Sequence, residues 1–295
     1  MKEKLIKNLT KILITIISYL PISWVRAIGA LVGIIAYRLS KRTATRLKNN
    51  LLKVNLATLD TIDKVALAVA KEQGKTLVET ITIAWCRSTK YNASLIKYKG
   101  HFDQVTQAVT GGKPVVFLTP HLGNFEIALK MTAYHFPQIK FSVLYKPSKL
   151  KWFDQLMEYG RNEDNIKAVP TSFSGVSHLL KVLKNNGCIG ILPDSVASGG
   201  DGAWVDFMGQ KVFATTLSAK MCLFEHANIF IVSSARIKGG FDLDFVPFEP
   251  SSNDYAKTTQ EIYAVIEKMV LKTPTQYYWS YDRFRTPKHA NKIEG

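Results

Sequence analysis

Cysteine is scarce in this chain of 295 residues, and the spacing of its cysteines excludes several kinds of site. Cys86, Cys188 and Cys222 are odd in number, far apart, and set in apolar or helical surroundings. They fit neither a disulfide framework nor a zinc site, so buried free thiols in a reducing compartment are expected. The chain also lacks internal repeats and low-complexity segments, and its length suffices for one large α/β domain, with or without a helical extension.

Acidic residues are also few, with 23 Asp and Glu against 39 Lys and Arg, which leaves a net charge of +16. A surplus of this size predicts an acidic partner, which could be nucleic acid, anionic lipid headgroups or an acidic protein. Zinc-finger spacing, an RNP-type aromatic strand and a long basic helix are all missing, so no nucleic-acid partner is expected.

The apolar runs near the N-terminus fall short of a clear membrane span. Leu5–Leu20 is shorter than the roughly twenty apolar residues that a spanning helix needs, and Ile22–Leu39 carries Arg26. No small-residue cleavage site follows, which argues against a removed signal peptide. We predict that residues 1–53 form an uncleaved membrane anchor with basic flanks, as one span or two membrane-embedded helices, and that residues 54–295 form a second domain. A pair of buried helices in a soluble protein is the alternative.

Short apolar runs alternate with helical patterns after the first segment. Buried strands are predicted at Pro114–Thr119, Phe141–Pro147, Ala168–Pro170, Cys188–Pro193 and Ile229–Ala235. This strand–helix rhythm predicts an α/β fold, with a mainly parallel sheet flanked by helices and an N-terminal hydrophobic membrane-anchor helix.

Five further segments have their own patterns. Phe241–Val246 alternates apolar and polar residues, which predicts an antiparallel edge strand. Helices are expected over Asp60–Arg87 and Phe213–His226, and a turn is expected at Tyr98–Phe102. The glycine-rich loop at residues 198–202 is expected to let the segment after it fold over a pocket.

The stretch from His121 to Glu126 joins the first of these strands to the start of a helix. Asn124 is a good N-cap residue, which places Glu126 in the first turn of that helix, and Gly123 permits the chain to turn. Residues five apart share no face of a helix or strand, so the histidine and the glutamate meet only if the chain turns between them. Junctions of this kind bind ligands in open α/β sheets.

A histidine paired with a carboxylate is a general base with the group that orients it. We therefore predict that His121 and Glu126 form a catalytic pair, in which the glutamate fixes the imidazole tautomer. No serine or cysteine nucleophile is evident beside the pair, so the base would act directly on a substrate hydroxyl. The alternative is a histidine satisfied by a loop carbonyl and a glutamate that only stabilises the start of a helix.

The segment Thr119-Pro120-His121-Leu122-Gly123-Asn124-Phe125-Glu126 resembles the H-x4-D/E motif of glycerolipid-type acyltransferases. Other segments resemble, in the same order along the chain, the bacterial late acyltransferases of lipid A biosynthesis, the lauroyl/myristoyl transferase family. These segments are Tyr145-Lys146-Pro147, Gly160-Arg161, Leu192-Pro193-Asp194, Phe207-Met208-Gly209, Tyr278-Trp279 and Arg283-Phe284-Arg285. The resemblance covers nearly the whole chain, and the ordered set is more specific than the H-x4-E motif alone.

The resemblance implies that residues 54–295 form an acyltransferase domain, which moves a fatty acyl chain from an acyl carrier protein thioester to a hydroxyl of a lipid A precursor. Acyl coenzyme A is the less favoured donor, and no cofactor or metal is expected. His121 would be the general base, oriented by Glu126. The residues expected to stabilise the oxyanion or bind substrate are Gly123, Asn124, Tyr145, Lys146, Arg161, Asp194, Arg283 and Arg285.

Several of these residues have a more specific expected role. Arg161, or backbone N–H groups near Gly123, would stabilise the developing oxyanion. Asp194 would hold Arg161 or the loop. The acceptor phosphates would be bound by Lys146, Arg283 and Arg285.

The expected partners are an acyl carrier protein, a phosphorylated lipid acceptor and an anionic membrane. The expected location is the bacterial inner membrane, with the catalytic domain on the cytoplasmic side. Three alternatives stay open: acylation of another lysolipid, hydrolysis of the acyl donor by a membrane-bound enzyme, and a membrane-binding protein without catalytic activity.

Overall fold

The computed structural model of the chain describes residues 12–148, 151–162, 164–197, 201–288 and 290. The first part of the apolar run Leu5–Leu20 and the glycine-rich residues 198–200 lie outside the described residues. Seven strands form the main sheet in the order β1-β9-β8-β2-β5-β3-β4, and β6 pairs with β7 in a separate hairpin. The strands are β1 (Ile96–Gly100), β2 (Val115–Leu118), β3 (Phe141–Tyr145), β4 (Ile166–Pro170), β5 (Cys188–Ile191), β6 (Gly202–Phe207), β7 (Gln210–Thr215), β8 (Asn228–Ile237) and β9 (Gly240–Pro247).

Helices cover the sheet, and several of them precede its first strand in the chain. The first, α1, is described over residues 12–18. The others are α2 (Ile22–Leu39), α3 (Lys41–Lys53), α4 (Ile62–Glu79), α5 (Thr89–Ser94), α6 (Phe102–Thr110), α7 (Phe125–Tyr134), α8 (Lys151–Arg161), α9 (Phe173–Lys184), α10 (Leu217–Cys222) and α11 (Tyr255–Lys272). A π-helix (Thr80–Ala84) follows α4, and a short 3₁₀ helix (Pro274–Gln276) follows α11.

The central strands run parallel, which confirms the predicted fold class. β2 lies between β8 and β5 and is parallel to both, and β3 is parallel to β5 and β4. β9 is antiparallel to β8 as predicted, but its predicted position at the edge is wrong, because β1 pairs with its other side. The turn expected at Tyr98–Phe102 is therefore partly strand. Lys97 and Lys99 on β1 are exposed, as is typical of an edge strand.

Both faces of the sheet are buried at its centre, which explains why β2, β5 and β8 are largely continuous apolar runs. Successive residues of β2 point to opposite faces: Val116 belongs to the core cluster that includes residues of α3, α4, α9 and α11, and Val115 to the one that includes residues of α6 and α7. All three cysteines are free; Cys188 and Cys222 lie in these cores as predicted, whereas Cys86 is exposed.

The hairpin of β6 and β7 replaces part of a predicted helix. The helix expected over Phe213–His226 is shorter, because β7 runs to Thr215 and α10 covers only the residues after it. Met208 and Gly209 both have positive φ angles, of 54° and 73°, as a tight hairpin turn requires. Phe207 is buried and meets the ring of Tyr263 on α11 edge-on, so the hairpin is fixed to the domain.

The N-terminal helices pack against the α/β domain. The break near Pro21 separates α1 from α2, and α2 packs along α4. Ile22–Leu39 is the one helix, among the described residues, that is long and apolar enough to cross a membrane. The predicted helix Asp60–Arg87 is observed as α4 followed by the π-helix. The division at residue 53 into an anchor and a second domain stays a prediction.

Candidate active site

The junction after β2 has the local structure that its residues predict. Gly123 has a φ angle of +64°, and a Cβ atom there would lie 1.7 Å from the carbonyl oxygen of Ser234, so only glycine fits this turn. Asn124 caps α7, because its side-chain oxygen accepts from the backbone N–H of Ile127 at 3.4 Å. Glu126 consequently lies in the first turn of α7.

Strand register brings Asp194 to His121. Leu118 at the end of β2 pairs with Ile191 at the end of β5, and His121 and Asp194 each follow three residues later. The Nδ1 atom of His121 lies 2.8 Å from Oδ1 of Asp194, and the backbone N–H of His121 donates to Oδ2 at 3.0 Å. One carboxylate therefore fixes both the backbone and the ring of the histidine.

Asp194 is fully buried and receives further donors on the other side. The Tyr277 hydroxyl donates to Oδ2 at 2.8 Å, and Arg283 donates to the same oxygen at 3.2 Å. Burial by itself would raise the pKa of Asp194, but the charges of His121 and Arg283 and the hydrogen bonds from His121 lower that pKa well below its ordinary value. Asp194 is therefore ionised and can only accept, so Nδ1 of His121 is the donor of this hydrogen bond, and in the neutral imidazole the lone pair lies on Nε2.

Glu126 pairs with Arg161 and not with His121. The Nε atom of Arg161 lies 2.9 Å from one carboxylate oxygen of Glu126 and 3.1 Å from the other, and Nη2 donates as well. No hydrogen bond joins His121 to Glu126 in the part of the chain that the structure describes. The predicted contact between them is wrong, because Asp194 takes Nδ1 of the histidine and Arg161 takes the glutamate. Of the two roles expected for Asp194, the contact with Arg161 is wrong for the same reason. The hold on the loop is observed, because Asp194 accepts from the backbone N–H of His121 at 3.0 Å.

The guanidinium of Arg161 lies against two aromatic rings. Its Cζ atom is 5.6 Å from the ring centroid of Trp85 and 5.3 Å from that of Tyr145. Burial lowers the pKa of Arg161, but the charge of Glu126 and its hydrogen bonds outweigh burial and raise that pKa above its ordinary value. The Nη1 atom is enclosed by protein, so the guanidinium faces Glu126 and the rings and presents no donor from Nη1 to solvent.

Backbone donors remain free at the start of α7. The N–H of Gly123 is already used, because it donates to the carbonyl oxygen of Gln276 at 3.1 Å. The N–H groups of Phe125 and Glu126 lie in the first helical turn, where an intrahelical acceptor does not exist. No acceptor for them is found within the described part of the chain. These two groups are therefore available to an oxyanion, whereas the N–H of Gly123 is not.

A cavity of about 660 Å³ reaches both His121 and Glu126, and we call it the channel. Its mainly apolar walls come from α2, α3 and α4 as well as from the loop after β2. Lys146, which is exposed, also lines the channel. Tyr278 lies beside the histidine, with ring centroids 6.1 Å apart and planes at 28°. An apolar space that ends at a few polar groups suits a ligand with an alkyl chain and a polar head.

Arg283 lies behind the histidine and not in the channel. Its side chain is 2% exposed, it binds Asp194, and its Cζ atom is 4.8 Å from the ring centroid of Tyr277. The prediction that Arg283 binds an acceptor phosphate is therefore wrong, since its charge is buried and already paired. Arg285, two residues later, is exposed and is available to a ligand.

A buried ion network, which sequence reasoning missed, supports the turn from behind. Arg236 on β8 donates to the carbonyl oxygen of Gly123 at 3.3 Å and to the carboxylate of Glu79 at 2.7 Å. Glu79 is fully buried and also binds Nε of Arg26 at 2.6 Å. The available signal was a charged residue inside an apolar strand and another inside a buried helix face, because buried charges need partners.

No group of three or more His, Cys, Asp or Glu side chains in the described residues could hold a metal ion. The expectations of no metal and no cofactor stay predictions.

Comparison with protein families gives one match over almost the entire chain. The sequence model of the family described as "Bacterial lipid A biosynthesis acyltransferase" matches residues 2–286. No curated protein matches the chain significantly. The family match covers β2, the turn with His121, and the loops that carry Asp194 and Arg283.

Proposed function

Because the chain belongs to the bacterial lipid A biosynthesis acyltransferase family, we propose that it moves a fatty acyl chain from an acyl carrier protein thioester to a hydroxyl of a lipid A precursor. In this proposal the reaction adds a secondary acyl chain. The observation that carries the mechanism is the position of the His121 imidazole. It is hydrogen-bonded through Nδ1 to the ionised, buried carboxylate of Asp194, and it borders an apolar channel.

His121 acts as the general base in this proposal. The lone pair of Nε2 takes the proton from the acceptor hydroxyl while the hydroxyl oxygen forms a bond to the thioester carbonyl carbon. The C–S bond then breaks, and the proton passes from the imidazolium to the leaving thiolate, so the products are an ester and a thiol. Asp194 stabilises the imidazolium by its charge, since its carboxylate stays ionised throughout. A positioned base of this kind contributes roughly 10²–10⁴-fold to the rate.

The backbone N–H groups of Phe125 and Glu126 stabilise the oxyanion that forms on the thioester carbonyl. Support comes from their position at the positive end of the α7 dipole and from the lack of an acceptor within the described residues. Arg161 acts indirectly, as a positioning residue: it holds the Glu126 side chain and lies against Trp85 and Tyr145 at the channel wall.

Charge supports the proposed partners. A net charge of +16 favours both an acidic carrier protein and a phosphorylated lipid in an anionic membrane. Lys146 at the channel and Arg285 on the surface are the candidates for phosphate contacts. We place the protein at the bacterial inner membrane with its channel on the cytoplasmic side, where acyl carrier protein thioesters are made.

The test compares lipid A from a bacterial strain that lacks its own copy of the enzyme and carries this chain, the His121→Ala variant or the His101→Ala variant. His101 is a matched control, because it is exposed and its side chain makes no capping hydrogen bond. Mass spectrometry should show one secondary acyl chain restored by the native chain and by His101→Ala. With His121→Ala that chain should be lost, and the purified variant should transfer roughly 10²–10⁴-fold more slowly.

Other outcomes would support the competing functions. Free fatty acid released from the thioester without ester formation would identify a hydrolase. Unchanged lipid A together with a newly acylated phospholipid would identify another lysolipid acceptor. Full activity of His121→Ala would contradict a catalytic role for the histidine.

A further inference from the structure

We propose that α2 lies along the surface of an anionic membrane leaflet and does not cross the bilayer. The helix has the length and composition of a membrane span, with a mean hydropathy of 1.5 over 18 residues. Its contacts, however, tie both of its ends to the α/β domain. The proposal rests on the membrane association proposed above but not on the reaction, so its test needs no measurement of activity.

The N-terminal end of α2 is held by arginines. Arg87, beyond the π-helix, donates to the carbonyl oxygens of Ser18 and Leu20 in the turn that precedes α2. Arg26, in the second turn of α2, binds the buried carboxylate of Glu79. Arg26 also donates to the carbonyl oxygens of β8 and β9 where these strands are joined, at 2.5 and 2.7 Å. The start of α2 therefore lies against the sheet.

The middle and the far end of α2 are held by close packing. A Cβ atom on Gly33 would lie 2.0 Å from the carbonyl oxygen of Ala70, and one on Gly74 would lie 2.1 Å from that of Gly29, so α2 and α4 touch backbone to backbone. Tyr37, in the last turn, packs on the core formed with α3. Contact with the domain thus continues along the whole helix.

These contacts are incompatible with a crossing. A helix of this length extends about 27 Å, close to the roughly 30 Å thickness of the hydrocarbon core. If α2 crossed, α4 beside it would enter the hydrocarbon with the charged residues Lys71, Glu72 and Lys75, which are unfavourable there even though Glu72 and Lys75 form an ion pair. Lying flat, α2 keeps these groups on the domain side.

The outer face of α2 fits a lipid surface. Its most exposed apolar residues form one stripe along the helix: Trp24, Leu31, Ile35 and Leu39. Arg38, Lys41 and Arg42 are exposed at its C-terminal end, where they can bind anionic headgroups. An apolar stripe with basic flanks is typical of helices that lie in the interface. The opposite face of α2 lines the channel, so an alkyl chain could pass from the leaflet toward His121.

The first test is the labelling of single cysteines in membrane vesicles of known orientation. The natural cysteines are replaced (Cys86→Ser, Cys188→Ala, Cys222→Ala), and one cysteine is introduced either at the start of α2 (Ser23→Cys) or just beyond its end, at the first residue of α3 (Lys41→Cys). Lys90→Cys, on the exposed surface of α5, is the control that marks the side of the domain. A maleimide that cannot cross membranes should label all three variants from the same side. Labelling of the Ser23 and Lys41 positions from opposite sides would overturn the proposal.

The second test measures depth and affinity on vesicles of phosphatidylethanolamine and phosphatidylglycerol. The emission of Trp24 is the part of the tryptophan fluorescence that disappears in the Trp24→Phe variant. In the native chain this emission should be quenched most by brominated lipids with bromine near the headgroup, as expected for a ring in the interface. Leu31→Lys should weaken vesicle binding by about tenfold, whereas Leu59→Lys, at an exposed apolar residue outside α2, should not. Quenching greatest at the bilayer centre, or a Leu31→Cys disulfide dimer that persists on vesicles, would contradict a helix lying on lipid.

Discussion

Two carboxylate–arginine pairs flank His121, and they differ in burial and in what they hold. Asp194 and Arg283 are 0% and 2% exposed and lie behind the histidine, which Asp194 binds, whereas Glu126 and Arg161 are 11% and 15% exposed and border the channel. Asp194 accepts from four side-chain or backbone groups, which leaves its carboxylate no freedom to turn. Glu126 accepts from Arg161 alone among the described residues.

The difference indicates which carboxylate sets the histidine tautomer. A buried acceptor with several fixed donors holds its geometry during a reaction, because any movement would leave a donor unpaired. A pair at the channel wall can instead move when a substrate enters. We therefore expect the Asp194 pair to affect proton transfer and the Glu126 pair to affect the position of the acyl donor.

The largest expected effect is on catalysis by Asp194→Asn. The amide cannot stabilise the imidazolium and allows the wrong tautomer, so kcat should fall on the order of 10²–10⁴-fold. Adding Asp194→Asn to His121→Ala should cost almost nothing more, since the two side chains act as one unit. Steady-state kinetics of the single and double variants would check this, and full additivity would break the proposed link.

The next effect is on stability. Asp194→Asn leaves the buried Arg283 without its anion, so the free energy of unfolding should fall by about 3–5 kcal/mol at neutral pH. Asp206→Asn, at an exposed carboxylate, should change it by less than about 0.5 kcal/mol. Urea unfolding followed by circular dichroism gives both values. Equal losses in the two variants would contradict the paired burial of Asp194.

Acid should remove this stabilisation. The pKa of Asp194 is lower in the folded protein than in the unfolded chain, so the unfolded chain binds the proton first as pH falls. The stabilisation is complete above the unfolded pKa of about 3.9 and is lost as pH falls through the lower folded pKa. The difference in unfolding free energy between the native chain and Asp194→Asn should therefore stay constant between about pH 5 and pH 7 and shrink below about pH 4. A difference that grows on acidification would contradict the lowered pKa.

A smaller effect is expected from Glu126→Gln. The amide keeps the shape but loses the charge that holds Arg161, so kcat/KM should fall about tenfold, which is roughly 1.4 kcal/mol. This loss should add to that of His121→Ala, in contrast to the loss from Asp194→Asn. Glu158→Gln, at an exposed position of α8, is the control. If Glu126→Gln proved non-additive with His121→Ala, the histidine and the glutamate would work as one unit after all.

The smallest effect is expected at the phosphate-binding candidates. Lys146→Ala removes one exposed charge beside the channel, so KM for the phosphorylated acceptor should rise a few-fold with little change in kcat, because exposed charges are worth about 1 kcal/mol or less. Lys90→Ala should leave KM unchanged. Acceptor titrations at low and high salt would measure both, and an unchanged KM for Lys146→Ala would remove this residue from the site.

The local features of the site were predictable from sequence. The apolar run of β2, the turn at Gly123 and the cap at Asn124 are set by residues within a few positions of one another, and the structure confirms them. Asp194 was also recognisable as the residue beyond a strand end. Its contact with His121 was not, because that contact depends on the pairing of Leu118 with Ile191 in strands far apart in the sequence.

The burial of individual side chains could not be predicted from the sequence either. Arg283 and Arg285 lie two residues apart in the same basic stretch, yet one is enclosed behind the histidine and the other is exposed. Composition cannot separate them, since the difference arises from Tyr277 and Asp194 folding over one guanidinium. The edge strand β1 was missed for a related reason: it has a polar sequence, and its pairing with β9 comes from a segment far along the chain.

The π-helix at Thr80–Ala84 has a consequence for how this channel could change over time. A π-helical turn holds one more residue than an α-helical turn, so the segment amounts to a single-residue insertion in a continuous helix. Deleting that residue would rotate Trp85 by about 100° around the helix axis and carry its ring away from Arg161. The gain or loss of one codon in this segment would therefore change the width of the cavity at this point.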